Sequence, residues 1–66
     1  MRLHFDEKAD AVYVRLDDSK IVESQEVQPG VILDFDSSQQ VVGVEILGVK
    51  KRISLDDLKE IHVKIA

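Results

Sequence analysis

Residues 31–47 read VILDFDSSQQVVGVEIL. Apolar and β-branched residues fill both ends and Asp36–Gln40 is polar, so the stretch predicts two strands, Val31–Phe35 and Val41–Leu47, joined by a turn. A type I turn with a bulge pairs Asp36 with Gln40, hence Phe35 with Val41 and Val31 with Glu45. One face then carries Val31, Leu33, Phe35, Val41, Leu47 and Glu45; the other carries Ile32, Val42, Val44, Ile46 and Asp34. Both faces are apolar and each holds one carboxylate. A strand pair of this kind is covered on both sides. Buried carboxylates persist where they are paired or hydrogen-bonded, so Asp34 and Glu45 are expected to be structural.

The alternation continues outward. Strands are predicted at Arg2–Phe5, Ala11–Leu16 and Ile21–Val27, separated by DEKAD, DDSK and QPG. Pro29-Gly30 is the strongest turn signal, since proline presets φ and glycine accepts φ > 0. Asp6 and Asp36 each follow a phenylalanine at a strand end, where a carboxylate can accept backbone N–H groups of the turn. After Gly48 the pattern changes. Ser54 with Asp57 resembles a helix cap, Asp56 and Asp57 suit a helix start, and Leu55, Leu58 and Ile61 recur at helical spacing over about two turns. The tail Ile61–Ile65, IHVKI, alternates again and reads as a sixth strand. The expected fold is α+β and mainly β: an antiparallel sheet of about five strands in hairpins, then one short helix and a C-terminal strand. The helix and tail cover part of one face, and a second copy of the chain covers the rest. The single domain spans 1–66, with sheet over 1–47 and helix and tail over 48–66.

Two stretches echo each other. LHFDEKADAVYVRL (Leu3–Leu16) aligns without gaps on LDFDSSQQVVGVEI (Leu33–Ile46). Any two half-buried hairpins share an alternating pattern, but the common four-residue loop after Phe-Asp favours a pair of similar hairpins. The register above would then put Leu3, Phe5, Tyr13 and Arg15 on one face, with Arg15 free to pair with Glu45.

Sixty-six residues form one domain, too small to be more than marginally stable on its own core. There is no cysteine, and only two histidines, His4 and His62. Disulfides and thiolate metal sites are thereby removed, which leaves oligomerisation, expected as a homodimer, or very good packing as the source of stability and suits the cytoplasm. A net charge of -4 argues against nucleic acid. Lys50-Lys51-Arg52 is too short a cluster to reverse that, and no apolar run approaches a membrane span. An acidic surface favours a basic protein partner.

The best carboxylate set is Asp34, Asp36 and Glu45, but Asp34 and Glu45 are expected on opposite faces, where they cannot act as an acid–base pair. Gly30, Gly43 and Gly48 are isolated, with no phosphate loop. Ser19, Ser24, Ser37, Ser38 and Ser54 lack a nucleophile motif. Asp6 with Asp10, and Asp17 with Asp18, offer oxygen ligands without the spacing of a calcium loop. No catalytic, cofactor-binding or metal-ligating residue is assigned, and no cofactor is expected. The polar strand around Glu23 and Glu26 fits an exposed edge open to strand addition.

FDEKADAVYVRL, VQPGVILDFD and VVGVEIL, taken in order, resemble domain-of-unknown-function family 2283, short prokaryotic proteins, over Leu3 to Leu47. Phe5 stands where the family has tyrosine, and Ser37-Ser38-Gln39 where it often has an aspartate-glycine pair. The resemblance implies a small β-rich domain and supplies no activity or catalytic residue. Some members are encoded beside small ribonuclease-like toxins, which implies an antitoxin-like role. The reading is a non-catalytic protein-binding module; the alternative is an enzyme or divalent-metal-binding protein that uses acidic residues.

Overall fold

Turn chemistry sets the sheet. In the computed structural model, which describes residues 1–66, the strands are β1 (Arg2–Asp6), β2 (Ala11–Arg15), β3 (Glu23–Gln28), β4 (Val31–Phe35) and β5 (Val41–Leu47). Asp6 Oδ1 accepts the Ala9 N–H at 3.1 Å in the first turn. Asp36 Oδ1 accepts the N–H groups of Ser38 (2.9 Å) and Gln40 (3.0 Å) in the third. Between them, Pro29 and Gly30 (φ 80°) close the β3–β4 hairpin as the proline-glycine pair predicts. The strand order is β1-β2-β5-β4-β3, and every neighbouring pair is antiparallel.

The β4–β5 pairing departs from expectation at one point. Asp36 N donates to Gln40 O (3.0 Å) and Phe35 faces Val41, as the bulged turn requires. Asp34, however, faces Gly43, so Val42 has no residue opposite it. The extra residue is a β-bulge whose carbonyl accepts the Leu16 N–H at 2.8 Å. Beyond it Leu33 faces Val44, Ile32 faces Glu45, and Val31 faces Ile46 instead of Glu45. A one-residue slip exchanges the faces of a strand, so Asp34 and Glu45 stand on the same face.

The two faces therefore differ, and the expectation of two apolar faces is corrected. Pairing and alternation put Leu3, Phe5, Val12, Val14, Val31, Leu33, Phe35, Val44 and Ile46 on one side. The other side carries Arg2, His4, Asp6, Tyr13, Arg15, Ser24, Glu26, Asp34 and Glu45 among a few apolar residues. Leu3 and Phe5 thus lie opposite Tyr13 and Arg15, not beside them.

The sequence echo survives. Away from the bulge, corresponding positions make the same cross-strand pairs in both hairpins: Leu3–Val14 with Leu33–Val44, His4–Tyr13 with Asp34–Gly43, and Arg2–Arg15 with Ile32–Glu45. In the centre Val14 faces Val44, flanked by Tyr13–Glu45 on one side and Arg15–Gly43 on the other. The hairpins are thus related by a pseudo-twofold axis at Val14–Val44. That symmetry also keeps Arg15 and Glu45 from facing each other: Arg15 faces Gly43 and Glu45 faces Tyr13, which are themselves echo counterparts.

The C-terminal region is shorter than its periodicity suggests. A 3₁₀ turn, Val49–Lys51, precedes one α-helical turn, α1 (Leu55–Leu58). Ser54 caps α1 by accepting the Asp57 N–H at 3.2 Å, as expected. The second turn does not form, because a short helix in water needs packing to offset its nucleation cost and no residue of α1 is buried. Nor is Ile61–Ile65 a strand. A strand draws its hydrogen bonds from a neighbour, and both sheet edges, β1 and β3, remain unpaired. The main packing contacts are those between neighbouring strands; neither helical segment packs broadly against the sheet, so they do not cover a face. No helix is long and apolar enough to cross a membrane.

Ala11, Val12, Val42 and Val49 are the only buried apolar residues. Val42 is 1% exposed and Val63 84%. Val42→Ala should therefore destabilise the fold by about 1–3 kcal/mol, and Val63→Ala by less than about 0.5 kcal/mol, in urea titrations. Equal effects would show that the tail packs as firmly as the bulge.

Candidate functional site

The polar face is organised around a carboxylate. Asp34, 7% exposed, accepts the Tyr13 hydroxyl on Oδ2 at 3.0 Å and the Ser24 hydroxyl on Oδ1 at 2.5 Å. Arg15 Nη1 donates to Tyr13 Oη at 3.3 Å. The chain of bonds runs from β2 across β5 to β4 and the edge strand β3. Both oxygens of Asp34 are thus engaged, and no buried side-chain nitrogen or oxygen lacks a partner. Asp34 is hydrogen-bonded on both oxygens, as expected of a buried carboxylate.

Gly43 makes this crossing possible. Tyr13 must reach over β5 to meet Asp34, and it does so across Gly43. A Cβ there would lie 2.8 Å from Tyr13 Oη, 2.9 Å from Asp34 Oδ2 and 3.1 Å from Tyr13 Cε1. The apolar run VVGVEI interrupts itself with a glycine, which is the signal that another group passes close to the backbone. Sequence reasoning placed Tyr13, Ser24 and Gly43 in strands without bringing them together.

Beside Tyr13 lies a hollow of about 290 Å³ lined by His4, Asp6, Ala9, Ala11, Tyr13, Asp34 and Glu45. The bulge brings Asp34 and Glu45 to it together, overturning their expected separation. Glu45 makes no side-chain hydrogen bond or ion pair, and the sole ion pair of the chain is Arg2–Asp18 at 2.9 Å. Arg15 instead donates from Nε to Asp17 O at 2.6 Å and from Nη2 to Ser19 O, so the expected Arg15–Glu45 pair does not form. The Tyr13 hydroxyl, by its hydrogen bond, raises the Arg15 pKa.

Of the other acidic pairs, Asp6, Asp10 and Asp17 accept backbone N–H groups. Asp10 (φ 52°) accepts the Lys50 N–H on Oδ1 at 3.0 Å and holds the 3₁₀ turn against the first hairpin. Asp17 Oδ1 accepts the Ser19 N–H at 2.8 Å, and hydrogen bonds from Ser19 hold its pKa below the ordinary aspartate value. No three His, Cys, Asp or Glu side chains gather where they could share a metal. Chemically, the hollow offers carboxylate acceptors, an imidazole and the side of a tyrosine ring, with no lysine or arginine lining it. It suits a cation.

The chain belongs to the family described as a protein of unknown function (DUF2283), which it matches over residues 2–50. That span contains all five strands, the Tyr13–Asp34–Ser24 network and the hollow, and it ends before α1. No curated protein and no solved structure matches the chain.

Gly43→Ala should destabilise the protein by about 1–3 kcal/mol through overpacking against Tyr13. Tyr13→Phe should cost a similar amount, because buried Asp34 loses a donor. Calorimetry of the double variant should give a coupling above about 0.5 kcal/mol; additive losses would separate Gly43 from the network. A second test concerns acid. With its folded pKa below the unfolded one, Asp17 adds stability above about pH 3.9, lost as pH falls through the folded value. Its ¹³C carboxyl resonance should titrate below about 3.9, and a higher midpoint would contradict the turn.

Proposed function

We propose that this DUF2283 domain acts by binding a basic protein partner on the polar face of its sheet, without chemical turnover. The observation that carries this reading is the hollow beside Tyr13, whose lining includes Asp6, Asp34 and Glu45 and no lysine or arginine. A lysine or arginine side chain entering it would meet carboxylates around Glu45 and the face of Tyr13, through charge-assisted hydrogen bonds and a cation–π contact. Glu26, on the same face in β3, extends the negative surface towards an open strand edge. An antitoxin masking a basic toxin is the form of this role that the family resemblance implies. We place it in the cytoplasm, on the support of a chain without cysteine.

Catalysis is the second reading, favoured by the presence of Asp34 and Glu45 in one lining. The separation of Asp34 from Glu45 no longer counts against it. What does count is that Asp34 is held on both oxygens by neutral donors, and that no histidine is hydrogen-bonded to a serine in a nucleophile–base arrangement. Binding needs only the charges that the hollow presents.

A hexalysine peptide should bind in isothermal titration, more weakly as salt rises. Glu45→Gln should weaken it about three- to tenfold. Glu60→Gln, which removes the same charge from the exposed tail, should have less effect. Equal losses would reduce the interaction to net charge and remove the hollow as its site.

A further inference from the structure

We propose that two copies of the chain pack face to face through the apolar side of the sheet, closing a two-layer β-sandwich with both acidic faces outward. Leu3, Phe5, Val14, Leu33, Val44 and Ile46 share that side. None of these six is buried in the single chain, although Val12 on the same side is, and Leu3 is 46% exposed. Neither helical segment packs broadly across the sheet.

The surface area has the size that a dimer requires. The chain exposes 5275 Å², whereas a folded monomer of 7.5 kDa exposes about 4,200 Å². The surplus is about 1,000 Å², and each partner in a standard interface contributes about 800 Å². A radius of gyration of 12.7 Å, against about 10.8 Å for a compact 66-residue domain, reports the same thin shape.

The occupant is a second copy for two reasons. With Ala11, Val12, Val42 and Val49 as its only buried apolar residues, the single chain encloses too little to offset its conformational entropy. The cover must then be present whenever the chain folds, and only the chain itself always is. Charge gives the orientation. Each copy carries -4, and Asp6, Glu26, Asp34 and Glu45 lie on the far side. Apolar packing puts two sheet layers, about 10 Å apart, between those carboxylates; packing by the polar faces would press them together. On the apolar side Glu23 and Gln25 sit on the edge strand β3, where an interface has its polar rim. This arrangement does not depend on a basic partner, but it would make the module bivalent.

Sedimentation equilibrium of the full chain at micromolar concentration should give twice the 7.5 kDa mass. In a mixture of labelled and unlabelled chains, isotope-filtered NOEs should connect methyls of Leu33, Val44 and Ile46 between copies. Leu33→Ala should raise the dimer Kd about tenfold with β circular dichroism retained; Val44→Asp should abolish the dimer. A folded monomer at every concentration would overturn the proposal. So would intermolecular NOEs confined to β1 or β3, NOEs placing the Ile61–Ala66 tail over its own sheet, or a Leu33→Ala Kd within about twofold of the parent. Glu45→Gln should leave the dimer mass unchanged whatever it does to peptide binding, so the two readings fail separately.

Discussion

The β-bulge at Val42 is the constraint on which the rest of the structure depends. Without it, Asp34 would stand on the side of Val44 and Ile46, and the sheet would carry a carboxylate on each of two apolar faces. Removing a charge from water without compensation costs several kcal/mol, so that register is strongly disfavoured. One extra residue moves Asp34, with Ser24 facing it on β3, to the side of Tyr13 and gathers the aliphatic residues of four strands on the other. Local geometry and long-range sorting agree, and the register is thereby unique.

Once Asp34 is on that side, its burial is offset locally. Two hydroxyl donors engage its two oxygens, and hydrogen bonds to a charged group contribute about 1.5–3 kcal/mol each. The donors come from different strands, so the same bonds tie β2 and β3 to β4 and resist slippage of the edge strand. Gly43 is the steric condition for this arrangement. The network differs from Glu45, which lies at the same hollow without a partner. Asp34 ties the strands together, while the Glu45 side chain has no hydrogen-bond or ion-pair partner.

Stability is spread unevenly through the chain. The pseudo-twofold core of β1-β2-β5-β4 places Val14 against Val44 at its centre. The edges, the single helical turn and the tail carry little buried apolar surface, and such segments open at low free energy. The unpaired edges also present free backbone groups. β3 offsets that hazard with Glu23 and Glu26, and β1 with charged Arg2 and Asp6.

Much of the architecture is legible in the sequence because it rests on local rules. Alternation marks five strands near their observed limits, Pro29-Gly30 and the two Phe-Asp turns close the hairpins, and Ser54 caps the helical turn. Family membership follows from the order of those same elements. What the sequence leaves open is what neighbours decide. Ile61–Ile65 has a strand pattern and no strand beside it. The echo correctly pairs the hairpins, yet it suggests an Arg15–Glu45 contact that does not form, because Arg15 donates instead to Asp17 O and Ser19 O. Above all, the bulge at Val42 is a property of how β5 meets β4 and of the Leu16 N–H that its carbonyl accepts. Strand side chains alternate with a period of two, so that one residue determines the face of every side chain beyond it, and with it the existence of the site.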